Sequence, residues 1–309
     1  MVAPITVHAA VGKGAHMLGL KVNYVPLLPD FSVDLAAYAR AMNANTVLCI
    51  ASAPQYPHGL LDPVADIAEL CSARQRRGVS IPLHVDACIG GFILPFIEKL
   101  GHAVPKWDFR VSGVTSISAD LHKFGYAPKG ASVLVYRHND YRKHQFWATC
   151  QWPGGLFVSP SILGTRSGGP IAAAWATLMA TGVNGYLEPT RKALAARMCV
   201  EQAAKSIEGL AVIGSPVASI VAWRSTDPQV NIFAVADALE QEQLVFRNGS
   251  VHRNGKWRIE KQPQPDCIHM TCMPKHAALA TQLAADMAMA VRYAREHPEL
   301  SKSGSAAMY

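Results

Sequence analysis

The 309-residue chain is 50% hydrophobic and 17% charged, with a formal net charge of +7, so it can bury one large core or two modest ones. No stretch approaches the roughly 20 consecutive apolar residues of a membrane-spanning helix, and the N-terminus lacks the basic-then-apolar order of a signal peptide. The positive charge is spread thinly, which is typical of a solvated surface or an anionic small substrate and disfavours a nucleic-acid partner.

Short apolar runs alternate with helical stretches in the first half of the chain. Their length and partial β-branching are typical of strands buried on both faces of a parallel sheet. The predicted strands are Val22–Val25, Thr46–Ala51, Pro82–Val85, Val114–Ser118 and Ala131–Tyr136. The helices predicted between them are Val33–Met42, Val64–Arg76 and Phe92–Leu100. This order predicts an α/β domain.

The pattern changes after Gly168-Gly169-Pro170, where an Ala-rich helix is predicted to run to about Thr181 and a second from about Glu188 to Ile207. Three strands and two helices are predicted beyond it, which favours a smaller α+β domain. They are strands Ala211–Ile213, Ser219–Trp223 and Cys267–Thr271, and helices Asn231–Glu242 and Lys275–Arg295.

A boundary near Gly182–Gly185 predicts a large domain over residues 1–184 and a small domain over residues 185–298. Two Asn-Gly pairs and a Pro-Gln-Pro predict a hairpin and loop over Asn248–Asp266. The tail, residues 299–309, is predicted to be disordered.

The seven cysteines are odd in number and scattered along the chain. This usage predicts reduced thiols and a cytosol-facing compartment, without a disulfide framework. Four residues resemble metal ligands, namely Cys267, His269, Cys272 and His276. They lie on both faces of a predicted strand and at a helix start, whereas zinc sites pair cysteines on a turn, so no metal is expected.

Two charged residues stand where predicted parallel strands end, at the edge where ligands collect in open α/β sheets. Asp86 closes PLHVDA and Lys123 follows VTSISAD. Pyridoxal phosphate needs this pair, because a lysine amine forms a Schiff base with its aldehyde and a carboxylate keeps its ring nitrogen protonated. Burial is expected to lower the pKa of Lys123 and free its amine. A structural ion pair is the alternative.

Five segments carry a resemblance to known enzymes. They are VAPITVHAAVGKGA, SAPQYPHGLLDPV, IPLHVDACIGGFILPFIEKLG, DFRVSGVTSISADLHKFGYAPKGASVLVYR and GTRSGGPIAAAWATLM. In them the chain resembles the pyridoxal-phosphate enzymes of the group II decarboxylase family, and within it the sphingosine-1-phosphate lyases. HVDAC, SADxHK and YAPKG are typical of the lyases, since amino-acid decarboxylases more often have Ala where Cys88 stands.

The resemblance implies a pyridoxal-phosphate transferase fold, aspartate-aminotransferase-like or fold type I, with an incomplete, mainly parallel large domain and a smaller α+β domain. It implies cleavage of phosphorylated sphingoid bases, by a retro-aldol step, to a long-chain aldehyde and phosphoethanolamine. It also implies a homodimer with active sites at the interface. Eukaryotic relatives are anchored in the endoplasmic reticulum membrane, and that anchor is expected to be absent here.

The resemblance also implies roles for individual residues. Lys123 would carry the cofactor, Asp86 would hold its ring nitrogen and His8 would stack on its ring. His122 would lie at the cofactor beside Lys123, and Lys129 of YAPKG would bind the substrate's phosphate.

Other residues keep two interpretations each. Gly164 and Thr165 of GTRSGGP are either a plain turn or, as in the family, a segment that reaches the neighbouring subunit's cofactor phosphate. Cys88 lies near the cofactor by spacing or is a buried, inert thiol. His58 contacts substrate or caps a loop, and His84 is a core or supporting residue.

Three departures from the family pattern keep other functions open. The chain begins after a Gly-Gly-Thr segment that binds phosphate in the family, Ala53 replaces a hydroxyl residue, and the Asn248–Asp266 region is longer than expected. An active lyase, a pyridoxal-phosphate-dependent amino-acid decarboxylase and a non-catalytic remnant of the lyase all remain possible.

Overall fold

A six-stranded sheet organises the N-terminal half of the computed structural model, which describes residues 1–76 and 78–302. Its strands are β1 (Val2–Pro4), β2 (Asn23–Val25), β3 (Cys49–Ser52), β6 (Leu83–Asp86), β7 (Val114–Ala119) and β8 (Val133–Tyr136). Their order is β2-β1-β3-β6-β7-β8. The first five are parallel, and β8 runs antiparallel to β7. Each predicted strand is present, with shifted ends, and β1 was not predicted.

One side of this sheet is packed by α2 (Leu35–Ala41), α3 (Val64–Ala73) and α4 (Leu94–Lys99). Helix α1 (Ala9–Met17) lies on the other side. Helix α3 ends earlier than predicted, because the chain turns into a small hairpin of β4 (Gln75–Arg76) and β5 (Val79–Ser80). Tyr38, Ile67 and Ile97 from α2, α3 and α4 share one buried core with Leu83 of β6. Burial of these side chains supplies the main driving force for the fold.

The opposite face of the sheet is open. His84, Ser116 and Leu134 line a groove of about 1060 Å³ there, with α1 along one wall. Strand β8 is exposed, and Leu134 keeps 46% of its surface accessible. The prediction that all five strands are buried on both faces is therefore wrong for β8, because it is an edge strand and the core helices cover the other side.

Helix α5 (Asn139–Arg142) and a hairpin of β9 (Trp147–Thr149) and β10 (Phe157–Ser159) connect the sheet to a long helix, α6 (Gly168–Ser206). Two helices were predicted here. A single non-helical residue, Gly182, separates the two halves at φ 58°, a conformation that glycine adopts without steric cost. The kink falls at the predicted domain boundary, which stays a prediction.

The C-terminal unit is an antiparallel sheet covered by helices. The sheet order is β11 (Leu210–Val212), β12 (Ile220–Ser225), β16 (Asp266–Thr271), β15 (Glu260–Pro263), and the helices are α7 (Ile232–Glu240) and α8 (Ala280–Glu296). Trp223, Leu239 and Met287 are fully buried between these layers. The second half of α6 joins this core through Val200. The predicted mainly parallel large unit and smaller α+β unit are both confirmed.

The predicted hairpin and loop over Asn248–Asp266 is resolved into two hairpins. β13 (Gln243–Val245) pairs with β14 (Val251–Arg253), and β15 pairs with β16. Residues 299–302 continue a 3₁₀ helix from Pro298, and the prediction of a disordered tail stays a prediction. Residues 303–309 lie outside the described residues. Among the helices described, none is long and apolar enough to cross a membrane.

The buried carboxylate of Asp286 holds the β14–β15 connection against α8. Its two oxygens contact His252 Nε2 at 2.7 Å, accept from the Gly255 N–H at 2.8 Å and accept from Trp257 Nε1 at 2.6 Å. Asp286 keeps only 1% of its surface exposed. One side chain therefore satisfies three donors in a region with little regular structure.

We expect Asp286→Ala to lower the free energy of unfolding by about 3 kcal/mol, because it leaves buried N–H groups without an acceptor. Urea unfolding followed by circular dichroism measures the change. The matched control is Glu242→Ala, which removes the exposed ion pair with Lys256 and should cost less than about 1 kcal/mol. Equal effects of the two substitutions would contradict the role given to Asp286.

Candidate active site

The carboxyl ends of three neighbouring strands are in register at one edge of the sheet. Ser52 of β3 pairs with Asp86 of β6, and Asp86 pairs with Ser118 of β7. Asp86 Oδ1 accepts hydrogen bonds from the Cys88 N–H at 3.0 Å and from Ser118 Oγ at 3.1 Å. The half-buried carboxylate is therefore fixed in orientation at the edge where open α/β sheets bind ligands.

The segment after β7 brings Lys123 to the same edge. The Asp120 N–H donates to Cys88 O at 3.2 Å, which ties this segment to the one after Asp86. Lys123 Nζ lies 2.9 Å from Asp120 Oδ2, and the Cys88 thiol is near enough to contribute to the pKa of Lys123. The structure therefore brings together the two residues that the sequence singled out.

Close packing explains how these segments approach one another. Gly90 begins a 3₁₀ turn after Asp86, and a Cβ there would lie 1.9 Å from the Ala53 carbonyl oxygen. On the other side, Tyr186 of α6 donates to Gly125 O at 2.8 Å and so fixes the segment after Lys123. The site is thus built from loops held by backbone contacts on both sides.

The expected lowering of the Lys123 pKa is wrong. Burial lowers the pKa of Lys123, but the neighbouring Cys88 and Asp120 raise it by more than burial lowers it. The pKa therefore lies above the ordinary lysine value. The amine is therefore held as an ammonium by Asp120, whose own pKa stays low because the Ser132 hydroxyl and Lys123 outweigh the effect of burial. Lys123 must lose a proton before it can act as a nucleophile.

Cys88 is an inert thiol in this environment. Burial, followed by the neighbouring Asp86 charge, raises its pKa to about 11 although Lys123 opposes the shift. Only the thiolate is nucleophilic, so Cys88 stays unreactive at neutral pH. This environment is compatible with both interpretations of Cys88, a residue near the cofactor and an unreactive thiol.

We expect iodoacetamide to modify the exposed Cys150 at neutral pH while Cys88 remains unmodified. Because the pKa of Cys88 is about 11, its alkylation rate should rise roughly tenfold per pH unit until that value is approached. Peptide mass spectrometry of the labelled chain over a pH series measures both rates. Equal modification of Cys88 and Cys150 at neutral pH would contradict this description.

A second buried acid lies next to Asp86. Asp62 Oδ2 accepts from the Ser52 N–H at 2.7 Å. Burial, opposed by that hydrogen bond and reinforced by the Asp86 charge, raises the pKa of Asp62 to about 7. Partial protonation of Asp62 near neutral pH limits its repulsion of Asp86. The position of Asp62 before Pro63 was the one sequence feature that marked this residue.

The two histidines assigned to the cofactor by resemblance differ in their contacts. His122 Nδ1 contacts Ala131 O at 3.1 Å, and its Nε2 lies 3.8 Å from Asp120 Oδ2, so it shares that carboxylate with Lys123. His8 is exposed, and its Nδ1 accepts from the Ala10 N–H at the start of α1. Both roles stay predictions.

Two loops meet beside this cluster. Pro170 of the GTRSGGP segment lies 3.6 Å from where a Cβ on Gly130 would stand. Thr165 lines a cavity of about 520 Å³ with Gly130 and Ser132. Gly164 and Lys129 are exposed. The phosphate-binding roles of Gly164, Thr165 and Lys129 stay predictions.

His58 lies apart from the cluster. It is fully buried, its ring packs edge-on against Phe31, and neither ring nitrogen has a hydrogen-bond partner among the described residues. Burial, with a contribution from His269, lowers its pKa to about 4, so it is neutral. None of these contacts involves Asp86 or Lys123, and its substrate role stays a prediction.

The site contains residues that sequence reasoning missed. Asp120 pairs with Lys123, and its position three residues earlier was the available signal. Ser118 bonds Asp86 because two strands are in register, which the sequence alone does not show. His84, predicted as a core or supporting residue, contacts Ser116 Oγ at 2.9 Å and Ser118 Oγ at 3.2 Å.

Within residues 1–76 and 78–302, no group of three or more histidine, cysteine, aspartate or glutamate side chains is arranged to hold a metal ion. His269 Nδ1 instead contacts Pro57 O at 2.9 Å, and His276 Nδ1 accepts from the Met273 N–H at 3.0 Å. These histidines therefore support the local backbone.

Comparisons with known proteins agree with this geometry. Residues 1–222 match the model of the pyridoxal-dependent decarboxylase conserved domain. The chain is 38% identical over its full length to the sphingosine-1-phosphate lyase of Oryza sativa subsp. japonica, covering 54% of it. It is also 38% identical over its full length to sphingosine-1-phosphate lyase 1 of Rattus norvegicus, covering 51% of it. The chain thus spans about half the length of the curated relatives it matches.

A solved structure gives the same assignment. The sphingosine-1-phosphate lyase of Burkholderia pseudomallei superposes with a TM-score of 0.85 at 35% identity, covering 98% of this chain and 65% of that one. The expected fold and the resemblance to this group of lyases are therefore confirmed. The strand-end aspartate and lysine, the fold and the sequence match together show that the chain belongs to the pyridoxal-dependent decarboxylase family.

Proposed function

We propose that this chain binds pyridoxal phosphate and acts as an aldehyde-lyase, cleaving phosphorylated sphingoid bases to a long-chain aldehyde and phosphoethanolamine. The observation that carries the proposal is the placement of Asp86 and Lys123 at neighbouring strand ends, in two segments joined by the hydrogen bond from the Asp120 N–H to Cys88 O. The lyases of rice, rat and Burkholderia support the choice of reaction within the family.

The residues present fit this cofactor. When bound, pyridoxal phosphate supplies an aldehyde that condenses with amines and a ring that withdraws electrons from a breaking bond. The Lys123 amine is the group that would hold it. Asp86 is fixed through Oδ1, and in the described part of the chain no other N–H or O–H group donates to its Oδ2, which leaves that oxygen to accept from a ring N–H.

The groups next to Lys123 can accept and relay its proton. Asp120 stabilises the Lys123 ammonium and can receive its proton when the amine becomes a nucleophile. His122 contacts the same carboxylate through Nε2 and donates Nδ1–H to Ala131 O, so it is positioned to relay that proton. Asp86 would hold the ring nitrogen of the bound cofactor protonated, and the protonated ring would withdraw electrons from the bond that breaks on the substrate.

Lys129 is the proposed contact for the phosphate of the substrate. It is exposed in the loop beside Thr165, and within residues 1–76 and 78–302 no carboxylate pairs with it. A free ammonium in this loop can bind a phosphate group as a point charge.

We expect Lys129→Ala to raise KM for a phosphorylated sphingoid base by about tenfold to 100-fold, since it removes one charge-assisted contact. Borohydride fixation of the cofactor should be unchanged, because Lys129 lies outside the Lys123 ion pair. Steady-state kinetics with phosphorylated and dephosphorylated substrates measures the effect. An equal loss with both substrates would contradict a phosphate contact.

Product analysis tests the function. The purified chain, supplied with pyridoxal phosphate, is incubated with a phosphorylated sphingoid base and separately with glutamate and aromatic amino acids. Release of a long-chain aldehyde supports the lyase, whereas release of carbon dioxide supports the amino-acid decarboxylase. Absence of both products in the presence of fixed cofactor would favour the non-catalytic interpretation.

We also propose a homodimer with active sites at its interface. Trp175 and Met179 on the first half of α6 are 65% and 64% exposed, beside the cavity that holds Thr165. Apolar surface of this kind is typical of subunit interfaces. Seven free cysteines support a reducing, cytosol-facing location, and any association with the endoplasmic reticulum rests on the family resemblance alone.

A further inference from the structure

A chain of hydrogen bonds runs along the open face of the sheet and ends on Asp86. Ser116 Oγ lies 2.9 Å from His84 Nδ1, His84 Nε2 lies 3.2 Å from Ser118 Oγ, and Ser118 Oγ lies 3.1 Å from Asp86 Oδ1. These four side chains come from two adjacent strands, β6 and β7, whose register places them in one row. The row leads from the groove to the candidate site.

The Asp86 carboxylate at the end of this series of hydrogen bonds determines which group donates in each of them. An ionised carboxylate only accepts, so the single hydroxyl proton of Ser118 goes to Asp86. Ser118 can then only accept from His84, which requires the proton of His84 on Nε2. His84 Nδ1 is left as an acceptor for the Ser116 hydroxyl.

The environment of His84 favours the neutral ring that this direction requires. Burial lowers the pKa of His84, and the Asp86 charge only partly opposes the shift. A protonated ring would carry a second N–H at Nδ1, and Ser116 would have to accept it. The neutral Nε2–H tautomer instead gives each N–H and O–H of the row one acceptor.

We propose that His84 is a positioning residue for the cofactor site: through Ser118 it fixes the orientation of the Asp86 carboxylate, so that Oδ2 faces the ring nitrogen. This inference rests on the proposed function and deepens it. A hydrogen bond from the Cys88 N–H alone leaves the carboxylate free to rotate about Oδ1, and the bond from Ser118 comes from a second direction and restricts this rotation. Hydrogen-bonded partners of this kind orient groups that bind a ligand directly.

The first arm of the test needs no cofactor. Nitrogen-15 NMR of the histidine-labelled chain at neutral pH should show the His84 proton on Nε2, and Ser118→Ala should shift that signal. The matched control is Thr115→Val, which removes a buried hydroxyl bond from the same strand to Leu83 O and should leave the His84 signal unchanged. A proton on Nδ1, or a doubly protonated ring, would overturn the relay.

The second arm measures the dissociation constant for pyridoxal phosphate by visible absorbance. Ser118→Ala should weaken binding about tenfold, as expected for one bond to a charged group, and Ser118→Thr should restore it. His84→Phe should weaken binding several-fold, and the double variant His84→Phe/Ser118→Ala should match Ser118→Ala alone, because His84 acts through Ser118. Unchanged binding in His84→Phe, or effects that multiply in the double variant, would overturn the proposal.

The two arms separate the failure of this inference from failure of the proposed function. A wild-type chain that fixes no cofactor on Lys123 refutes the proposed function, and the NMR arm then decides the His84–Ser118–Asp86 relay by itself. A wild-type chain that fixes cofactor but shows no loss in His84→Phe retains the proposed function and refutes the positioning role.

Discussion

Lys123→Arg should abolish the fixation of pyridoxal phosphate by borohydride and lower lyase activity by about 1,000-fold, within the range lost when a group that acts chemically is removed. The guanidinium keeps a positive charge beside Asp120, which lies 2.9 Å from Lys123 Nζ in the wild type. It lacks an amine that can lose a proton and condense with an aldehyde. The substitution therefore removes the nucleophile while it retains the ion pair.

The choice of Lys123→Arg separates loss of the nucleophilic amine from loss of the ion pair with Asp120. Lys123→Ala leaves Asp120 without its ion-pair partner, so a loss of cofactor in that variant alone would have two explanations. Lys129→Ala, six positions along the same loop, is the matched control and should keep full fixation. Visible absorbance before and after borohydride, with mass spectrometry of the fixed peptide, measures the result. Fixed cofactor in Lys123→Arg would show that another residue carries it.

The alternation of strands and helices predicted every strand of the main sheet except β1, because each apolar run was long enough for one buried strand. It did not predict the open face. Leu134 and Val135 of β8 have the composition of a buried strand and are each 46% exposed. The composition of a strand shows that its residues prefer burial. Whether another element packs over that strand depends on the rest of the fold.

In the candidate site, too, some features could be predicted from the sequence and others could not. Asp86 and Lys123 were found because a charge directly after an apolar run is unusual and marks a strand end. The ion pair of Lys123 with Asp120 was missed, since a spacing of three residues brings side chains together only where the backbone turns. That turn, in which the Lys123 N–H donates to Asp120 O, reversed the expected direction of the Lys123 pKa shift.

Contacts between strands were beyond the sequence for a further reason. The bonds of Ser118 to Asp86 and of His84 to Ser118 depend on register, and β6 and β7 shift register between Leu83 and His84. A slip of one residue would turn Ser118 to the opposite face. Asp62 likewise reaches the site through the backbone N–H of Ser52, a contact that the sequence does not show.

Asp86→Asn should lower the rate of the lyase by about 100-fold or more and weaken cofactor binding, while fixation on Lys123 persists at saturating pyridoxal phosphate. The amide keeps the shape of the side chain and an oxygen that can still accept from Ser118 and the Cys88 N–H. It lacks the negative charge that would hold the ring nitrogen protonated and so favour electron withdrawal by the ring. The substitution thus changes charge with little change in packing.

The matched control applies the same substitution one strand away. Asp62 is buried, its pKa is about 7, and its oxygen accepts from the Ser52 N–H. Asp62→Asn replaces a group that is already partly neutral near that pH, so we expect a rate within about threefold of the wild type. Single-turnover kinetics and the visible spectrum of both variants measure the difference. Equal losses in Asp86→Asn and Asp62→Asn would indicate a general effect of buried acids on the sheet edge, and would remove the reason to place the ring nitrogen at Asp86.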